Sequence, residues 1–451
     1  MTKYYNCEFL SDVVLQASAN TQGNVLLSDF IPGSNFLGMV AANGGYESFG
    51  EDAFDVFHSG AVKFGDGHLV ISGDRSHKIP LCFFDLKVGE GIFNRLFLEE
   101  EEEERLRHEH KQLKQIRTGY MNRKSEYAKP LYTYAQKSKH NREYRRSDDG
   151  GMYGYSALRR GSNWIFPVTY SDEKYIAGVE EKLFAASRLG KSKSAQYGKI
   201  KITPLQDEVL QEHFEPTDNM TYLYADARLA LIDGNGMPTY LPTIENLGLK
   251  SGCINWEKTQ IRTVAYQPYN YVRKTKEYTR VALGKGSVIA IEGLDSNEKI
   301  PEYMGAYTHE GFGRILVNPK FLEARYPKLE KVESITAESK VCDHELVAYL
   351  KKKVQKEEDT FAVASSVEQA IPMFKGPSPS QWGQIRIMAT TSKTKEELME
   401  KITDFIGSGK SKKQWEGIEE KLLAYIQNHP HPIAFTKLLS MMMPKQTRGG
   451  K

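Results

Sequence analysis

Three times along this chain a glycine-rich turn carrying a cation feeds directly into a short strand. Gly305–Pro319 reads GAYTHEGFGRILVNP: Gly311 and Gly313 flank Phe312, Arg314 follows, and Ile315-Leu316-Val317 runs until Asn318-Pro319. Ala186–Ile202 reads ASRLGKSKSAQYGKIKI, with Gly190 and Gly198 around Lys191, Ser192, Lys193 and Tyr197, then Ile200 and Ile202 in alternation. Leu283–Ile291 reads LGKGSVIAI, with Lys285 between two glycines. Glycine at such spacing lets the backbone take φ > 0 or approach another group closely. Successive N–H groups in these turns form anion-binding concavities, and lysine or arginine adds charge. Any one of the three, taken alone, is a tight turn entering a strand. Their repetition points to a polyanionic ligand. None is a dinucleotide fingerprint or a P-loop, because no G-x-G-x-x-G opens a helix and no G-K-[ST] stands at the required distance from an earlier glycine.

The 451 residues, 51.2 kDa, leave room for two or three domains. With 61 basic and 58 acidic side chains the net charge is +3, which excludes a histone-like tail but allows local basic surfaces balanced by acidic runs. Mean hydropathy is −0.53, and no apolar run is long enough to predict a membrane span. The N-terminal MTKYYNCEFL has no signal-peptide core, so a cytoplasmic protein is expected. Cys7, Cys82, Cys253 and Cys342 form no C-x-x-C pair, which predicts buried reduced thiols and no zinc site.

Tyr4–Leu15 predicts an opening strand. FIPGSNFLGMVAA at 30–42 predicts a turn at Pro32-Gly33, a cap at Ser34 or Asn35, and a helix whose free N–H groups form a ready phosphate site. Its ordinary alternative is a plain β-turn-α connection. Ala61–Val70 predicts a hairpin turning at Gly65–Gly67. The glutamates 99–104 predict a solvated helix with i,i+4 pairing. Beyond them, Arg117, Tyr120 and Arg123, and then KSKHNREYRR at 137–146, interleave cations with aromatics. That mixture suits single-stranded nucleic acid, since phosphates need charge and bases stack on rings. Asp148-Asp149-Gly150-Gly151 is read as a turn, and Leu229–Tyr240 as two strands around an Asp-Gly/Asn-Gly turn. After about Pro327 helical patterns take over. Thr394 and Glu397 predict a capping box, Leu398, Ile402 and Phe405 one apolar face, and Trp415, Ile418, Leu422 and Ile426 another.

Together FIPGSNFLGMVA (30–41), VKFGD (62–66), GKSKSAQYG (190–198), LGKGSVIAI (283–291) and HEGFGRILVNP (309–319) resemble the RAMP (repeat-associated mysterious protein) superfamily of CRISPR systems. More narrowly they resemble the large subunit of type III-D effector complexes that caps the crRNA 5′ handle. The resemblance spans about residues 4 to 325 and leaves the helical tail uncovered. It implies an α+β fold of tandem ferredoxin-like (RRM-type) domains: an N-terminal domain over 1–205 with an inserted charged segment at about 90–150, a second over 206–327, and a helical extension over 328–451. It implies a cytoplasmic subunit that binds crRNA, meets target RNA indirectly, and joins the large palm-domain subunit to RAMP backbone subunits, with no membrane contact. The RNA-facing residues would be Pro32, Gly33, Ser34, Asn35, Arg117, Tyr120, Gly190, Lys191, Ser192, Lys193, Tyr197, Lys285, Gly311, Phe312, Gly313 and Arg314. Gly313→Ala and Arg314→Ala are then expected to fold normally but hold less crRNA.

Two other function classes remain open. A RAMP endoribonuclease would need a general acid and base on either side of the scissile phosphate. His309, His58, His77 and Asp29 are the candidates, and they form no convincing pair in the sequence. A non-catalytic subunit, with no cofactor and no metal, is therefore expected. A plain RNA-binding or assembly protein outside CRISPR is the third class.

Overall fold

The segment TKYYNCEF alternates in character, and as a strand it turns Tyr5, Cys7 and Phe9 to one buried face, as a period of two requires. This is β1 (Thr2–Phe9) of a computed structural model that describes residues 1–17, 27–42, 44–141, 143–193, 196–206, 209, 211–216, 219–270, 273–334, 344–409 and 412–448. After the turn at Pro32 comes α1 (Gly33–Ala41), followed by β2 (Val62–Phe64), β3 (His68–Ile71) and β4 (Asp74–Arg75). A long antiparallel ribbon, β5 (Tyr132–Asn141) and β6 (Arg146–Leu158), precedes β7 (Asn163–Tyr170), α2 (Ile176–Ala185) and β8 (Ile200–Pro204). The sheet has the order β8-β1-β7-β3-β4, with β2 also on β7. Both helices pack on its buried face. Phe36 stacks on Phe166 with ring centroids 3.6 Å apart, and Val40, Val179 and Leu183 complete the layer.

Ala61–Val70 is not the expected hairpin. β2 pairs with Val168–Tyr170 and β3 with Trp164 and Ile165, so both run along one edge of β7. Gly65–Gly67 interrupts a single strand line. There Gly65 N donates to Pro167 O at 2.8 Å, and Gly67 exchanges hydrogen bonds with Ile31. Asp148–Gly151 is not a turn either. It lies inside β6, where the register shifts between Ser138 and His140, and the chain reverses at Glu143–Arg145.

The second sheet is built from β9 (Met220–Ala225), β10 (Cys253–Ile254), β11 (Val288–Glu292) and β12 (Ile315–Val317), in the order β10-β11-β9-β12. Alternation splits its side chains between two cores. Leu223, Ala225, Ile289, Ile291 and Ile315 meet Leu229, Leu247, Leu249 and Met304 on one face. Tyr222, Tyr224, Val288, Ala290 and Leu316 meet Ile79, Cys82, Phe83, Leu96 and Met121 on the other. Half of this core therefore comes from the segment after β4, far away in sequence. No α-helix occurs among the described residues between 206 and 334, so the helical layer of a second ferredoxin-like domain is not seen among them. The result is a mixed α+β architecture of several small antiparallel sheets with a helical C-terminal region.

The chain divides into two compact units, Met1–Ala337 and Glu338–Lys451. The second holds α3 (Glu345–Ala370), α4 (Pro379–Thr391), α5 (Lys395–Gly407), α6 (Glu419–Asn428) and α7 (Pro432–Arg448). Thr394 caps α5 as expected, its hydroxyl accepting from Glu397 N at 3.2 Å. Leu398, Ile402, Trp415, Leu422 and Ile426 are buried in its core. Phe405, expected on the same face, is only partly buried, and Ile406 takes the inner position. Of the cysteines, Cys7 and Cys82 are buried but Cys253 is exposed, against expectation. Cys342 lies outside the described residues. Among the described residues no helix is long and apolar enough to cross a membrane.

These cores predict how fragments behave. Residues 338–451 alone should unfold cooperatively on heating, monitored by circular dichroism, because their core is self-contained. A fragment of 206–337 should be molten or insoluble, because it leaves Tyr222 and Tyr224 bare. A cooperative, soluble 206–337 fragment would show that the shared core has been misassigned.

Candidate nucleic-acid interface

The sequence motifs fall into two places, one inside the first unit and one on its surface. Inside, the turn before α1 meets the loop before β12. A Cβ on Gly33 would stand 1.9 Å from Phe64 O and 2.8 Å from Gly311 Cα. Gly311 has φ +93°, and its own Cβ would meet Phe64 O at 2.7 Å and Asp66 Oδ1 at 2.9 Å. The close approach that these glycines permit is thus between two backbones of one chain. Gly313 has φ +84° with Met304 O 2.1 Å from its Cβ position, so Gly313→Ala is strained in conformation and in space. The expectation that this variant folds normally does not hold. Pro32 is buried too, while Ser34 and Asn35 are half-buried.

Carboxylates already occupy this junction. Asp66 accepts the first amide of α1, Gly33 N, at 2.8 Å, the position expected for an RNA phosphate. Lys285 stands 2.9 Å from the same carboxylate and 3.6 Å from the Phe30 ring centre. Burial lowers its pKa to about 8, in spite of Asp66. Asp226, 1% exposed, is the deepest anion among the described residues. Arg75 grips it with two N–H groups at 3.3 and 2.9 Å, His77 Nδ1 donates to it at 2.8 Å, and Arg314 Nη1 stands 3.4 Å away. Arg314 also donates to Glu302 at 3.2 Å and to the Tyr4 hydroxyl at 2.7 Å. Arg314, expected at a phosphate, is 2% exposed, and Phe312, expected on a base or, more readily, in core packing, is 0% exposed. Arg314 bridges the two sheets through Asp226 and Tyr4, and Phe312 packs with Ala230, Ala282 and Tyr307. Lys285 and Tyr120 are buried as well.

Burial alone would raise the Asp226 carboxyl, but Arg75 and the histidine contacts outweigh it and hold it well below the usual range. Burial pushes His68 far down, helped by Arg75 and Lys285, and pushes His77 down despite its bond to Asp226. His68, His77 and Asp226 bring their donor atoms within 4.8 Å of one another. This set suits an ion pair better than a metal. Two guanidinium groups sit on the carboxylate, and His68 Nδ1 donates to Ser76 O at 2.8 Å.

The candidate nuclease residues are each engaged elsewhere. Asp29 is ion-paired with Lys78, His77 with Asp226, and His309 lies 3.5 Å from Glu310. His58 packs beside Tyr46 and Phe54.

On the surface, the described parts of the 190–198 loop (190–193 and 196–198) lie beside the β5–β6 ribbon. Asp12 holds the two together: its carboxylate accepts from Thr133 Oγ1 at 2.8 Å and Arg160 N at 2.8 Å, and its carbonyl from Gly198 N at 2.8 Å. Lys137 stands 4.9 Å above the Tyr197 ring, which Tyr155 meets edge-on. Tyr197 is therefore a buried support for the loop instead of an exposed stacking ring. Gly190 (φ +82°) lets Lys191 N reach Val14 O at 3.0 Å, with Ser192 also left-handed and Lys191 and Lys193 exposed. On the ribbon, Tyr134 is 68% exposed and lies across Gly154, and Tyr144 is 65% exposed. Arg145 and Arg146 are exposed beside Tyr144 at the tip, while Lys139 is partly neutralised by Asp148. Arg117 stands apart, with Lys87, Lys114 and Phe84 around a shallow depression of about 450 Å³.

Several of these residues escaped sequence analysis. Asp226 and Arg228 lie in LYADARLALI, where two opposite charges interrupt an apolar run. That was the available signal for a buried ion-pair network. Tyr134 could have been found as an aromatic of alternating register beside the KSKH run.

No family model matches the sequence, and no curated protein matches it. Solved structures resemble the fold at low identity. One is a chain of a type III-B Cmr-beta complex bound to cognate target RNA and AMPPnP, 11% identical over 64% of this chain and 86% of that one, with a TM-score of 0.38. Another belongs to a Csm3-Csm4 subcomplex of the type III-A CRISPR-Cas interference complex, 13% identical over 70% and 99%, with a TM-score of 0.34. A third comes from a type IV-B CRISPR complex, 13% identical over 48% and 96%, with a TM-score of 0.23.

The buried junction predicts a pH dependence. His68 and His77 take up protons in the unfolded chain below about pH 6.5 but resist them when folded. Stability is then complete above that pH and falls as the pH drops toward 5. Asp226 adds a further loss only below the unfolded carboxylate range, near pH 4. Urea midpoints between pH 7.5 and 5 should decline, and His68→Asn with His77→Asn should flatten the decline. Equal slopes for variant and parent would remove the histidines from the acid response.

Proposed function

We propose that this chain is a non-catalytic, RNA-binding subunit of a type III CRISPR effector complex. In this reading it caps the 5′ handle of crRNA and joins the large palm-domain subunit to the RAMP backbone subunits in the cytoplasm. The observation that carries it is the surface formed by the β5–β6 ribbon and the 190–198 loop. Lys191, Lys193 and Arg145 supply charge there, and Tyr134 and Tyr144 supply exposed rings. Single strands are held by that combination, since phosphates take the charge and any base can stack. The motif resemblance supplies the identity of the RNA. The strand order β8-β1-β7-β3, with two helices on one face, is compatible with a ferredoxin-like first domain. The endoribonuclease alternative is less well supported, because its candidate residues are tied into ion pairs or aromatic packing.

Binding of a labelled single-stranded repeat RNA, measured across a salt series, tests the proposal. Lys191→Ala with Lys193→Ala should lower the log–log salt slope by roughly 1.4, about 0.7 for each phosphate contact on a single strand. Tyr134→Ala should weaken binding by about 1–3 kcal/mol. The RNA should be recovered intact. Unchanged affinity and slope in both variants would remove this surface from the interface, and specific cleavage would reinstate the enzyme.

A further inference from the structure

Five cationic side chains are buried among the described residues: Arg75, Arg228, Arg280, Lys285 and Arg314. Four have carboxylate partners, Arg75 and Arg314 on Asp226, Lys285 on Asp66 and Arg280 on Glu310. Arg228, 6% exposed, has none, and its Nε and Nη2 are enclosed without any acceptor. Its guanidinium carbon stands 4.2 Å from the ring centre of Phe312, 4.6 Å from Tyr266 and 5.1 Å from Phe30.

A guanidinium cannot shed its proton under ordinary conditions. The three rings offset part of its buried charge through their quadrupoles, but they leave its N–H groups without strong acceptors. Enclosed donors of this kind are rare and destabilising. An oxyanion is their natural complement, because a planar guanidinium binds two oxygens at once. The neighbourhood agrees. Lys285 shares the Phe30 ring with Arg228, and Asp66 pairs with Lys285 but not with Arg228. Phe30 leads into the turn before α1, Phe312 follows Gly311, and Gly33 and Gly311 touch. Phe30 and Tyr266 are half-buried, so the outer wall of the cage is side chain and open to displacement.

We propose that Arg228, backed by Lys285, is a seat for one phosphate oxyanion where the α1 turn and the 305–319 loop meet. Its source is a phosphodiester of the bound RNA, which rests on the function proposed above, or a free phosphate. Phe30 or Tyr266 swings out to admit it, and the phosphate completes the charge balance of the junction.

The test uses the full chain and two probes, inorganic phosphate and single-stranded repeat RNA. Phosphate at constant ionic strength should raise Tm saturably in the parent and not in Arg228→Met. The RNA affinity of Arg228→Met should fall about ten- to hundredfold, with the salt slope lower by roughly 0.7. A folded Arg228→Met that matches the parent with both probes overturns the proposal. A parent that takes phosphate through Arg228 yet binds no RNA keeps the seat, assigns it to free phosphate, and overturns the RNA-binding function instead. Should Arg228→Met fail to fold, the arginine Nε–H resonances of the parent decide. The signal missing from Arg228→Lys should move as phosphate is added, and a stationary signal overturns the proposal.

Discussion

The ion cluster on Asp226 is the interaction on which the first unit depends. Asp226 follows β9 in the second sheet, whereas Arg75 and His77 belong to the segment leaving the first. Arg314 reaches the same carboxylate from the strand entry at β12 and touches Tyr4 on β1. One carboxylate thus fixes the register between two sheets. Removing one partner from such a set leaves an uncompensated charge and costs about 3–5 kcal/mol, although an apolar replacement of the whole set could be as stable. The cluster is therefore best understood as a specificity device. It makes one docking of the two sheets far better than its neighbours, because a shift of a few ångströms strands two guanidinium groups in apolar surroundings.

That docking explains why the glycines lie where they do. Helix α1 begins against the loop of the other sheet at a separation only two Cα atoms without side chains allow. Asp66 bridges the two by accepting Gly33 N and pairing with Lys285. Elements read separately as anion-ready turns are thus each other's ligands. The helix N-terminus does meet a negative charge, as its dipole favours, but the charge comes from within the chain.

Local features were legible in the sequence for physical reasons that are themselves local. The Thr394 cap, the Gly190 turn and most of the apolar stripes of the C-terminal helices follow from spacing and capping chemistry and are present; α1 forms where its spacing places it, but Ser34 and Asn35, expected as its cap, lie inside the helix, and Pro32 stands at the N-cap with no side-chain cap. What failed depends on partners distant in sequence. Ala61–Val70 looks like a hairpin because a glycine pair usually reverses a strand. Here β7 offers an edge long enough for the chain to continue past it. Arg314 looks like a phosphate ligand because the sequence does not show which carboxylate it meets: Glu310 is four residues away, yet its partners are Glu302, 12 positions away, and Asp226, 88 positions away. A cation in a glycine loop has the same local pattern whether its counter-charge is RNA or a remote aspartate.

The charge balance then separates the two kinds of site. Inside the first unit each buried cation except Arg228 is matched to a carboxylate, so these groups contribute little field beyond the junction. On the surface, Lys191 and Lys193 have no carboxylate beside them among the described residues, and screening acts over about 8–10 Å at physiological salt. A polyanion arriving from solvent is therefore drawn first to the 190–198 loop and the ribbon. The junction can act only after contact, at short range and through displaced rings. A chain whose net charge is only +3 can hold a polyanion in this way because Lys191 and Lys193 are exposed and have no carboxylate beside them among the described residues. Surface capture and interior pairing are in this sense one design, since every carboxylate used to fasten the sheets together is one that does not repel RNA from the ribbon.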